Sequence, residues 1–201
     1  MKKILAIWPH PDDIELGCFG TMCRYADEGN EVHFLVLTKW EGGSEDGKRA
    51  DEAIASSKLL RCNLHIENLK DRYVSEWIET ISTIEKYIEK IRPDMVFIPS
   101  KNDTHQDHRA VHFASIVACR SVDNIYVYQS PSTTIDFRPN YYVDITKYID
   151  NKIEAVKIHT SQIWKIYMAD RAVKWLAEYR AFDVLKNDKF FEAFELFKSV
   201  N

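Results

Sequence analysis

Two short clusters hold the side chains best suited to bind a cation or move a proton: Pro9-His10-Pro11-Asp12-Asp13 and His105-Gln106-Asp107-His108. His10 and Asp13 lie three apart in a turn and can grip one cation with an imidazole nitrogen and a carboxylate oxygen. A second imidazole from the other cluster makes a set of two histidines and one carboxylate. Such a set leaves coordination positions open for water and substrate, as catalytic rather than structural centres do. Zinc fits these ligands, and ferrous iron or cobalt would bind the same ones. Asp12 is left over beside the metal. A carboxylate there is a natural general base, because a bound cation lowers the pKa of its water toward about 7.

Taken singly, either cluster reads as a turn with solvated charges. What joins them is the pattern of elements around them. Lys3 to Trp8 is a short apolar strand that ends at the first cluster, and Met95 to Pro99 is a buried strand that precedes the second. Glu31 to Thr38 is a nearly continuous apolar strand of the parallel-sheet type, Asn63 to Glu67 a weaker one, and Asn124 to Gln129 alternates. Between them, helical spacing runs over Gly17 to Glu28 (stopped by Gly29), Lys48 to Arg61, Ser75 to Ile91 and Gln106 to Arg120. Alternating strands and helices predict a Rossmann-like α/β fold in one domain over residues 1–201, with a mostly parallel sheet and helices on both faces. The aromatic-rich stretch Ile145 to Phe197 reads as mostly helix, packed on the sheet edge or on a neighbouring subunit. If the strand order is 3-2-1-4-5, the first and fourth strands are neighbours where the order reverses. Ligands bind there, at the carboxyl ends of the strands, so the two clusters meet at one point.

Composition narrows the function classes. A net charge of -4 with acidic and basic residues interspersed argues against a partner bound through phosphates, so no nucleic acid is expected. The apolar run before Pro9 is too short for a signal-peptide core or a membrane span, and the 4 cysteines form no close pair, so a reduced, cytoplasmic protein is expected. His112 shares a helix face with His108 and reads as core or as a contact behind a ligand. His33 reads as a satisfied buried histidine, and His65 shows no acidic or histidine partner. Two rival functions remain. A metal-dependent phosphoesterase could use the same ligands, although no second carboxylate-rich site is visible. A non-catalytic nucleotide-binding module would need a Gly-x-Gly-x-x-Gly turn after the first strand, where His-Pro-Asp-Asp stands instead.

Pro9 to Asp13 with Glu15 to Cys18 and Gly20-Thr21, together with His105 to Arg109, resembles the paired signature of the LmbE-like, or PIG-L, family of zinc-dependent de-N-acetylases. Thr38 to Gly43, Arg49 and Glu52, Tyr128 to Ser132, Pro139 to Tyr148, Lys157 to Gln162 and Phe191 to Phe194 look like further stretches of that family. The resemblance implies that His10, Asp13 and His108 hold zinc and that Asp12 is the general base. It implies that His105 stabilises the oxyanion or protonates the leaving amine, with Asp107 orienting it. Either Asp12, once protonated, or His105 can supply the acid that a poor amide leaving group requires. The implied reaction removes an N-acetyl group from an N-acetylglucosamine-type small molecule, and the family also implies a homo-oligomer. Phe19 and Trp40 stand where the family commonly has glycine, which bears on the substrate rather than the reaction. Trp40 can stack on a sugar ring or pack under its loop. Glu41 can bind substrate hydroxyls or hold the loop. Arg49 can meet a substrate anion or pair with Glu52.

Overall fold

The computed structural model describes residues 1–39 and 48–200. Seven strands form one sheet: β1 (Lys3–Trp8), β2 (Glu31–Thr38), β3 (Asn63–Leu69), β4 (Met95–Pro99), β5 (Asn124–Tyr128), β6 (Tyr141–Asp144) and β7 (Phe191–Lys198). Their order is β3-β2-β1-β4-β5-β7-β6. The first five run parallel, and β7 is antiparallel to both β5 and β6. The expected 3-2-1-4-5 core and its reversal between β1 and β4 are therefore present.

Helices cover both faces, and β1 shows why its sequence is apolar throughout. Ile4, Ala6 and Trp8 enter one core with α2 (Phe19–Asp27), α6 (Ile149–Ile158) and α7 (Asp170–Phe182). Leu5 and Ile7 enter the other with α4 (Ile78–Ile91) and α5 (Gln106–Ala118). Alternate side chains point to opposite faces of a strand, so a strand covered on both faces must be apolar at every position.

The C-terminal third departs from the expected helix. Residues 145–182 are largely helical, but Phe191–Lys198 is a strand that carries the sheet beyond β5, and β6 completes the edge. Phe-Glu-Ala-Phe-Glu-Leu-Phe-Lys hides this, because a glutamate sits at a core position. Glu192 is buried, yet its carboxylate accepts the Gly20 and Thr21 amides at 3.1 and 2.7 Å and pairs with buried Lys152. The pair ties β7 and α6 to the amino end of α2.

The segment after β1 also differs from the single helix expected over Gly17 to Glu28. It forms a short helix α1 (Asp13–Gly17), breaks at Cys18 with φ -146, and resumes as α2. Gly17 lies against the core at that break. A Cβ there would stand 2.3 Å from the Trp8 ring and 3.0 Å from Tyr128, two fully buried rings stacked at 3.4 Å. Neither ring has room to move, so Gly17→Ala is expected to destabilise the protein by about 1–3 kcal/mol. A lowered urea midpoint at unchanged m-value checks this, and an unchanged midpoint would contradict it.

Candidate functional site

The turn leaving β1 and the loop leaving β4 converge where the strand order reverses. The first turn is held under constraint. Asp12 precedes α1 in the left-handed region at φ 95, which a non-glycine residue rarely adopts. Arg49, on α3 (Lys48–Leu60), braces it from outside: its Nη2 donates to the Pro11 carbonyl at 2.6 Å and meets Asp12 Oδ2 at 2.7 Å. On the second loop, His105 caps α5, its Nδ1 accepting the Asp107 amide at 3.2 Å. His108 follows three residues later, on the same side of the first turn.

Three donor atoms meet across this junction. Asp13 Oδ2 is 3.3 Å from His10 Nδ1 and 3.3 Å from His108 Nε2. Ligands about 2.0–2.1 Å from a tetrahedral ion stand about 3.3–3.4 Å apart, so the spacing fits a cation held by this set. The far nitrogens of both rings are held as well. His108 Nδ1 meets Asp103 Oδ2 at 3.0 Å, while His10 Nε2 faces Asp107 Oδ2 at 3.1 Å and Asp71 Oδ1 at 3.3 Å. Carboxylates behind ligating imidazoles fix the ring and raise its basicity. Among the described residues, two further sets lie close enough to hold an ion: His10, His105 and His108, and His10, Asp71 and Asp107. The cavity, of about 170 Å³, is lined by His10, Asp12, Asp13, His105 and His108, with neither Asp71 nor Asp107 in its wall. The Nδ1 side of His10 therefore faces the carboxylate, Asp13, that lines the cavity.

The electrostatics match a cation-seeking pocket. Burial opposes charge on His10, but hydrogen bonds to Asp107, Asp13 and Asp71 override it and push its pKa up to about 10. His108 is likewise pushed up to about 9, against burial, by Asp13 and Asp103. Asp13 is held far below the usual carboxylate range by the two histidines despite its burial. Protons on the rings thus take the place that a dication would fill, and metal uptake would release them. Asp12 behaves differently: burial raises it to about 6, with Arg49 opposing. His105 lies below the ordinary imidazole value because of burial and its charged neighbours His10 and His108. With Nδ1 accepting the Asp107 amide, the neutral ring carries its proton on Nε2 and acts as a donor.

The structure thus brings His10, Asp12, Asp13, His105 and His108 to one cavity and revises the company of the others. The Asp107 carboxylate faces His10 and accepts the Arg72 amide, and it is the Asp107 backbone amide that bonds His105. Arg49 pairs with Asp12 rather than Glu52. Glu52 accepts instead from Thr160 and Ser161. Trp40 and Glu41 lie outside the described residues. His112 Nδ1 bonds the Pro99 carbonyl at 2.8 Å, in the core. His65 does have a partner, His33 Nδ1 at 3.3 Å across β2 and β3. Sequence reasoning misses Asp71 and Asp103 because each stands alone among loop polars. Only Asp103, five residues before His108, has a spacing that could draw attention.

An α/β sheet whose switch point carries a two-histidine, one-carboxylate pocket and a spare buried carboxylate has the side chains that could hold a metal ion there. More narrowly, the chain belongs to the PIG-L family: the model described as GlcNAc-PI de-N-acetylase matches residues 5–119. It is 36% identical over 170 residues to the protein described as "Uncharacterized deacetylase YaiS" of Escherichia coli (strain K12), covering 80% of this chain and 91% of that one. It is 30% identical over 197 residues to the diacetylchitobiose deacetylase of Thermococcus kodakarensis, covering 83% and 74% of the two chains. The crystal structure of a conserved protein from Thermus thermophilus superimposes with a TM-score of 0.89 at 26% identity, over 100% and 97% of the chains.

Asp103 bonds His108 on the side away from the cavity. Asp103→Ala is therefore expected to weaken divalent-metal binding about 10- to 100-fold without removing a ligand. Zinc titration against a chromophoric chelator measures this, and wild-type affinity would contradict it.

Proposed function

We propose that this chain is a zinc-dependent hydrolase that removes the N-acetyl group from an N-acetylglucosamine-type small molecule. One observation carries the reading: a preformed three-donor face, Asp13 Oδ2 at 3.3 Å from both His10 Nδ1 and His108 Nε2, with a further carboxylate, Asp12, in the same cavity wall. Membership of a de-N-acetylase family and the deacetylase relatives support the choice of bond. When bound to His10, Asp13 and His108, the dication supplies Lewis acidity toward the amide carbonyl and toward water. Ferrous iron or cobalt would suit the same donors.

The chain's own residues do the remaining work. The Asp12 carboxylate takes a proton from the attacking water. Arg49 holds that carboxylate in place and keeps it from drifting toward permanent protonation in its buried setting. His105 presents Nε2–H to the oxygen on which negative charge develops. Breaking the C–N bond requires protonation of the amine. Asp12, having gained a proton, returns it there, and His105 is kept as the oxyanion donor because its Nδ1 is engaged by the Asp107 amide. Among the described residues no helix is long and apolar enough to cross a membrane.

Three variants test the assignment. Metal analysis of purified protein, paired with amine release from N-acetylglucosamine derivatives, should find one transition metal per chain in the wild type. His10→Ala and His108→Ala should lose the metal, whereas Asp12→Asn should keep it and lose at least about 100-fold in kcat. Metal retained by both histidine variants, or turnover retained by Asp12→Asn, would overturn the roles given.

A further inference from the structure

The pocket wall contains a second cation beside Arg49. Lys165 lines the same cavity as His10, Asp12, Asp13, His105 and His108. Its neighbours in sequence are more exposed: Trp164 and Ile166 are 77% and 76% exposed, while Lys165 is only partly so, its ammonium 5.9 Å from the centre of the Trp164 ring. A chain that turns a lysine inward and leaves a tryptophan and an isoleucine in water inverts the usual partition, which calls for a functional reason.

The backbone carrying Lys165 is anchored. Glu52 accepts the Thr160 hydroxyl at 2.9 Å, the Ser161 amide at 2.9 Å and the Ser161 hydroxyl at 2.6 Å. The Lys165 amide then bonds the Gln162 carbonyl at 3.0 Å. Its ammonium stands 5.5 Å from the centre of the Tyr167 ring, another wall residue. Among the described residues, Lys165 Nζ makes no hydrogen bond and no ion pair. The pocket's carboxylates are already matched, Asp12 by Arg49 and Asp13 by the two histidines. The oxygen that gains charge in the reaction has His105 as its donor. Asp12 and Asp13 attract the Lys165 ammonium, but neither lies within ion-pair distance of it, so among the described residues its donors remain available to a ligand.

We propose that Lys165 binds an anionic substituent, a carboxylate or phosphate, carried by the acetylated sugar. This rests on the deacetylase reading and narrows its substrate class. Partial burial holds the Lys165 ammonium below its ordinary pKa, a cost that an anion seated against it would offset.

Hydrolysis of N-acetylglucosamine, N-acetylglucosamine 6-phosphate and N-acetylmuramic acid is compared for wild type, Lys165→Gln and Lys165→Arg. Binding of glucosamine and glucosamine 6-phosphate is followed by calorimetry. The wild type should favour at least one anionic sugar, and the favoured one identifies phosphate or carboxylate. Lys165→Gln should lower kcat/KM on that sugar about 10- to 100-fold, mainly through KM, and leave the neutral sugar within about threefold. Lys165→Arg should recover much of the loss. No anionic preference in the wild type, or an equal loss on neutral and anionic sugars, would overturn the proposal. If no acetylated sugar is hydrolysed but glucosamine 6-phosphate still binds in a Lys165-dependent way, the deacetylase reading fails and the anion site stands.

Discussion

Burying Asp13 against two imidazoles is the interaction on which the rest of this structure depends. A carboxylate taken out of water must be met by positive charge and by hydrogen bonds, or it does not stay ionised. Asp13 is met twice, by His10 Nδ1 and His108 Nε2 at 3.3 Å each, and those rings are backed in turn by Asp107, Asp71 and Asp103. The result is a layered cluster in which acid and base alternate outward from one point. Its centre is rich in donor atoms with room for a small cation. The raised histidines and the lowered aspartate share one cause, since each stabilises the charged form of the other.

The sheet supplies the rigidity that such a cluster needs. β1 and β4 are adjacent and parallel, so the turns leaving them open on the same edge. The β1 turn accommodates a left-handed Asp12 because the structure on every side fixes it: α1 behind, Arg49 above, and Thr38 at the end of β2, whose amide and hydroxyl both bond the Pro9 carbonyl at 2.9 Å. Farther out, a buried network of Glu15, Ser56, Glu52 and His159 staples α3 to the segment that follows α6. That staple sets both Arg49 on Asp12 and Lys165 in the wall. Stretches of sequence far from the two histidine motifs thus act on the same few atoms.

How much of this is legible in the sequence follows the physics of each signal. β1, β2 and β4 can be read because strands buried on both faces are continuously apolar and are separated by helices with one apolar stripe, whereas the strand order enters as the common one for such folds and β3, only half-buried, is a weaker signal. The two clusters can be joined because topology alone brings β1 and β4 together. β7 does not read as a strand, since Glu192 occupies a core position by virtue of partners more than a hundred residues away in sequence. Spacing offers Arg49 the partner available on its own helix, whereas its actual partner, Asp12, lies in a turn whose backbone conformation no spacing rule reveals. Asp71 and Asp103 are isolated carboxylates in polar loops, and only the fold shows that they stand behind the two imidazoles.

Anomalous diffraction at the zinc edge, from crystals grown with zinc, tests the layered cluster most directly. The expected result is one ion within about 2.1 Å of His10 Nδ1, Asp13 Oδ2 and His108 Nε2. His10 Nε2 should still be turned to Asp107 and Asp71. An ion seated instead on His10 Nε2, Asp71 and Asp107, a second donor set in reach, would contradict it and place the chemistry on the opposite side of the ring.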